Sequence, residues 1–105
     1  MDERYHICPL DALPPGALRY ADLDGLPIAL ANVGGEVFAF SDACRHQGGP
    51  LSSGVLIDET VTCPWHGWTY SVRSGKAIVP PLGLRIPTYP VSVEAGEIYV
   101  TVAWG

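Results

Sequence analysis

Apolar residues come in short runs of β-forming type, and Gly, Pro, Asp and Asn fall between them like punctuation. Residues 4–8 read as a first strand ended by Pro9, and residues 17–22 as a second, followed by an Asp24-Gly25 turn. Residues 28–33 and 36–40 flank Gly34-Gly35, which predicts a tight hairpin because Gly accepts positive φ. Residues 91–93 and 98–102 flank Glu94-Ala95-Gly96-Glu97 and predict a second hairpin. No stretch combines a helical period with two caps. The pattern predicts an all-β antiparallel sandwich or barrel.

Residues 41–79 differ in character. Strand-like runs shorten there, and Gly48, Gly49, Gly54, Gly67 and Gly75 interrupt them. Charge changes as well. Asp42, Asp58 and Glu59 balance Arg45, Arg73 and Lys76, whereas the rest of the chain has eight acids against Arg4, Arg19 and Arg85. The formal net charge of −5 therefore lies wholly outside this stretch. It reads as a loop-rich subdomain, 41–79, inserted in a β base formed by 1–40 and 80–105, all within one domain of 105 residues.

Composition narrows the function. With 48% apolar and 16% charged residues, disorder is excluded. The acidic balance disfavours a nucleic-acid partner, and no apolar run approaches the ~20 residues of a membrane span. Residues 1–6 lack a basic region followed by an apolar stretch, so no secretory signal is expected and the cytoplasm is the expected location. Three cysteines in such a chain point to metal or redox use, not to a disulfide framework.

Two of those cysteines form a constellation. Cys44-Arg45-His46 is followed, after sixteen residues, by Cys63-Pro64-Trp65-His66. Each loop offers one thiolate and one imidazole, with Gly48 and Gly49 after one pair and Gly67 after the other. Glycine lets backbone approach a buried inorganic group, and Pro50 and Pro64 stiffen the same loops. Such a donor set suits a tetrahedral zinc or a [2Fe–2S] centre of mixed ligation. Zinc knuckles usually separate the two residue types, whereas here each loop mixes them. A Cys44–Cys63 disulfide would leave both histidines unexplained.

At these residues the chain resembles the Rieske iron–sulfur family, whose defining motif is Cys-x-His … Cys-x-x-His. The resemblance runs over about 42–77, through Leu51, Gly54, Cys63-Pro64-Trp65-His66-Gly67-Trp68 and Val72-Arg73-Ser74-Gly75-Lys76. It implies a Rieske-like base with an inserted cluster-binding subdomain and one [2Fe–2S] cluster per chain. Cys44 and Cys63 would bind the inner iron, and His46 and His66 the outer iron. Respiratory members carry an inter-loop disulfide and a Ser hydroxyl donor; the matching positions here are Gly49 with Trp65, and Trp68. Tyr70 keeps a position where that branch has a Tyr near a ligand sulfur. Loss of the Ser donor points to the lower part of the family's range of potentials.

With all cluster ligands supplied and no nucleophile–base pair in view, the chain reads as an electron carrier without catalytic residues of its own. Its length most resembles the ferredoxin component of multicomponent aromatic-ring-hydroxylating oxygenases. That resemblance implies an NAD(P)H-dependent flavin reductase and a terminal oxygenase as partners. Alternatives are the small Rieske subunit of an assimilatory nitrite reductase or a zinc-stabilised interaction module. Cys8 is expected to be a small buried core residue, His6 to be exposed, and Asp42 to make a local Asx-type turn. Trp65 and Trp68 suit core packing or a dry shell round the centre. Residues 79–83 resemble a Pro-containing third loop. Electron-transfer rates are expected to fall when His46 or His66 is replaced, and charge reversal at Glu36 to affect them much less.

Overall fold

The computed structural model describes residues 1–44, 49–65 and 67–104. Strands dominate, and among the described residues the only helical turns are 3-10, at Leu10–Ala12 and Leu51–Ser53. The strands are β1 (Asp2–Pro9), β2 (Leu18–Leu23), β3 (Leu26–Val33), β4 (Glu36–Ser41), β5 (Val55–Ile57), β6 (Thr60–Thr62), β7 (Thr69–Ser71), β8 (Ala77–Val79), β9 (Thr88–Tyr89), β10 (Val91–Glu94) and β11 (Glu97–Ala103). They form three antiparallel sheets, ordered β1-β11-β10, β2-β3-β4-β9 and β5-β6-β7-β8. The β3–β4 hairpin turns at Gly34 and Gly35, both at positive φ, and the β10–β11 hairpin at Ala95 and Gly96. The two hairpins lie in different sheets, so the base has two layers.

Strand β3 explains how the layers meet. Ile28 to Asn32 are all buried, because both faces of this strand are covered. Side chains alternate across a strand. Ile28 and Leu30, with Val37 and Ala39 of β4, pack against Ile98, Val100 and Val102 of β11. Ala29, Ala31 and Phe40 point the other way and pack against Val61, Tyr70, Val72, Ala77 and Ile86. Small residues on that face let the third sheet come close. Cys8 belongs to the first of these cores; a bulge between His6 and Cys8 turns it inward beside Ile7.

The chain leaves the base after β4 and re-enters it at β9, where Ala39 faces Tyr89 and Phe40 faces Thr88. An ion-paired bracket also spans base and insert. Arg73, beyond β7, donates to Glu59 at 3.0 and 3.1 Å and to Glu36 of β4 at 3.2 Å, with its guanidinium 4.8 Å from the Phe38 ring centre. Glu36 is thus a partner of the insert and not a bystander of the acidic base, so reversing its charge would set it against Arg73. On the opposite side His6 is exposed and lies 2.6 Å from Glu97.

Because Phe40 is fully buried beneath the insert, Phe40→Ala is expected to cost about 3–5 kcal/mol. Val93→Ala, at a residue 44% exposed, should stay within about 0.5 kcal/mol. Urea unfolding followed by far-UV circular dichroism reads both.

Candidate metal centre

Two hairpin tips, closed in the same way, carry Cys44 and Cys63. The Cys44 N–H donates to the Gly49 carbonyl at 2.9 Å, above a bridge between Ala43 and Pro50. The Cys63 N–H donates to the Trp68 carbonyl at 2.7 Å, above the Thr62–Thr69 pair, whose hydroxyls meet at 3.1 Å. In each loop the cysteine bonds to the residue five places on.

Asp42 anchors the first loop by a longer route than a local turn. Its Oδ1 accepts from the Ser52 N–H at 2.6 Å and its carbonyl from the Leu51 N–H at 2.8 Å, ten and nine residues away. The carboxylate thereby holds the Leu51–Ser53 turn under the loop, with Leu51 fully buried. The expected Asx geometry is not what forms; the nearest local bond runs from Ala43 N–H to the Ser41 hydroxyl, at 3.3 Å.

Both cysteines are buried in the core shared by β3, β4 and the insert, and neither is in a disulfide. The Tyr70 hydroxyl lies 3.2 Å from Cys44 Sγ, and the Trp65 N–H donates to Cys63 Sγ at 3.4 Å. Burial pushes the Cys63 thiol up, the Trp65 N–H pulls it down, and the neighbouring Cys44 thiol raises it again. The buried Cys63 thiol resists becoming a thiolate unless a cation lies beside it, and a coordinated metal would supply that charge. Gly49 completes the cradle. A methyl on it would come 2.8 Å from Cys63 Sγ and 3.0 Å from the Trp65 ring. Buried sulfurs, donors aimed at them and a side-chain-free wall fit a thiolate-bound metal group.

His46, His66 and Arg45 lie outside the described residues. Among the described residues no third Cys, His, Asp or Glu joins Cys44 and Cys63. The two tryptophans divide the roles expected of them. Trp68 is half-buried and packs against the core holding the cysteines, whereas Trp65 is 47% exposed at the surface. The stretch after β8 begins with a cis Val79–Pro80 bond and leads into Leu84, which packs on the same core. Sequence reading marked Gly49 as a place of close backbone approach but not Trp65 as its neighbour, and it did not single out Glu36 as a partner; nothing local marked either contact.

A family profile described as the Rieske [2Fe-2S] domain matches residues 3–90. The 3-phenylpropionate/cinnamic acid dioxygenase ferredoxin subunit of Escherichia coli (strain K12) is 43% identical over 100 residues, covering 92% of each chain. The ferredoxin of carbazole 1,9a-dioxygenase from Nocardioides aromaticivorans IC177 superposes with a TM-score of 0.87 at 32% identity, over 92% of this chain and 95% of that one. A chain from a complex of reduced oxygenase and oxidised ferredoxin in carbazole 1,9a-dioxygenase gives 0.88 at 31%, covering 92% and 91%.

The Tyr70 hydroxyl favours the more negative, reduced state of any group bound through Cys44. Tyr70→Phe, which keeps the buried ring, is expected to lower the potential. A differential of about 1 kcal/mol corresponds to about 40 mV for one electron, measurable by potentiometric titration. From the profile match over most of its length and the two ligand-type hairpins, the chain belongs to the Rieske [2Fe-2S] domain family.

Proposed function

We propose that this chain is the ferredoxin of an aromatic-ring-hydroxylating oxygenase system, passing single electrons from an NAD(P)H-dependent flavin reductase to a terminal oxygenase in the cytoplasm. The observation that carries this reading is the pair of buried thiols, Cys44 and Cys63, each met by a hydrogen-bond donor at one end of a small β domain. Subdomain 41–79 holds the cluster on a base formed by 1–40 and 80–105. Cys44 and Cys63 are the inner-iron ligands, and His46 and His66 the outer-iron ligands. When bound, the [2Fe–2S] cluster supplies a one-electron store.

The chain's own residues bind, orient and insulate. The backbone bonds at Cys44 and Cys63 fix the spacing of the sulfurs, while Tyr70, Leu51 and Val61 keep water from their inner side. Trp68 stands where a hydroxyl donor would favour the reduced state, so one such contribution is missing. Trp65 and Leu82, 47% and 57% exposed, offer apolar surface close in sequence to the second ligand loop and the stretch after β8. An insert of zero net charge suits brief docking, with the acidic base steering orientation.

Purified protein is expected to contain two irons and two sulfides per chain and to give a Rieske-type EPR spectrum on reduction. Its potential should fall at ~−150 to 0 mV, the lower part of the family's range. Replacement of His46 or His66 by Ala should abolish that spectrum. Zinc in place of iron, or a potential above ~+150 mV, would contradict the assignment. Reduction by a flavin reductase and re-oxidation by a terminal oxygenase, followed by stopped flow, tests the partners.

A further inference from the structure

Gly49 poses a question that backbone conformation does not answer. It is absent from the glycines at positive φ, so an L residue could adopt its backbone. What forbids a side chain is contact. A methyl there would meet Cys63 Sγ at 2.8 Å and both Cγ and Cδ2 of Trp65 at 3.0 Å. The indole of the second ligand loop therefore lies directly against the backbone of the first. The same Gly49 carbonyl accepts the Cys44 N–H, so one residue touches both cysteines, one through its backbone and one through its open face.

Trp65 is placed to exploit this gap. Its backbone N–H points at Cys63 Sγ, and its ring covers Gly49 while the residue remains 47% exposed. An aromatic ring exposed on one side and packed on the other excludes water from whatever lies beneath it. We propose that the Trp65 indole, seated on Gly49, is the latch that ties the two ligand loops together and keeps water from the Cys63 sulfur. Trp65 is then a positioning residue. It acts on the bound group through Gly49 and Cys63, and the inference rests on the Rieske reading above.

The test compares holoprotein of the wild type with Trp65→Ala, Trp65→Phe, Gly49→Ala and the double variant Trp65→Ala/Gly49→Ala. Bleaching of the visible absorbance in the presence of an iron chelator measures retention of the cluster. Trp65→Ala is expected to accelerate bleaching about 10–100-fold, the usual effect of losing an outer-shell partner of a metal site. Its potential should also move upward, because water admitted beside Cys63 solvates the more negative reduced state. Trp65→Phe should restore most of both properties. Gly49→Ala should bleach quickly although Trp65 is present, and the double variant should be clearly less impaired than the two single effects added together.

Wild-type retention and potential in Trp65→Ala would overturn the latch. So would additive effects in the double variant, or a defect confined to the rate of reaction with a partner protein. Wild-type protein without iron and sulfide would overturn the Rieske reading instead.

Discussion

A thiol held out of water beside a second thiol is costly to ionise, since it has neither solvent nor a cation to stabilise its charge. Cys63, next to Cys44, is in that position, and much of the insert serves to keep both residues there. Each sits at the base of a hairpin tip whose closing bond is made by the cysteine itself, so sulfur position and loop shape are fixed by one contact. Tyr70 and the Trp65 N–H then meet the sulfurs from different strands and loops. A metal held by both cysteines would turn this unfavourable arrangement into a stable one, and the donors already in place would moderate its electron affinity.

The base contributes rigidity more than chemistry. Its two sheets enclose a core of Ile, Leu and Val that includes Cys8 and neither of the proposed ligand cysteines. Nevertheless, the insert is not merely appended. Phe40 supports it from below, the Asp42 carboxylate reaches ten residues onward to hold the turn beneath the first loop, and Arg73 brackets Glu59 to Glu36. Two of these three ties start within a few residues of the end of β4. The geometry of the loops is therefore inherited from a strand buried in the base.

Sequence reading reached the features that are written locally. Gly34-Gly35 and Ala95-Gly96 mark their hairpins because positive φ selects residue type, and Cys44 and Cys63 stand out because their spacing with histidine is rarely accidental. The reading of β1 came out one or two residues short at each end and that of β2 one residue early, since strand ends depend on pairing partners elsewhere in the chain. Asp42 was legible as a loop anchor but not in its reach, because a carboxylate before a turn is equally suited to a local bond. Glu36 looked like one acid among eight; only the fold brings it beside Arg73. Gly49 was legible as a point of close backbone approach, but not that part of its constraint is the Trp65 ring from the other loop.

The division of β3 between two cores has a practical side for anyone engineering this scaffold. Ile28 and Leu30 face a core of conventional packing, where volume can be redistributed among large neighbours. Ala29 and Ala31 face the floor of the cysteine-bearing layer, where added bulk must lift that layer as a whole. Substitutions one residue apart on the same strand will therefore register in different assays, one set in melting behaviour and the other in metal content. A screen for thermostability alone would miss what substitutions on the second face do to the cysteine-bearing layer.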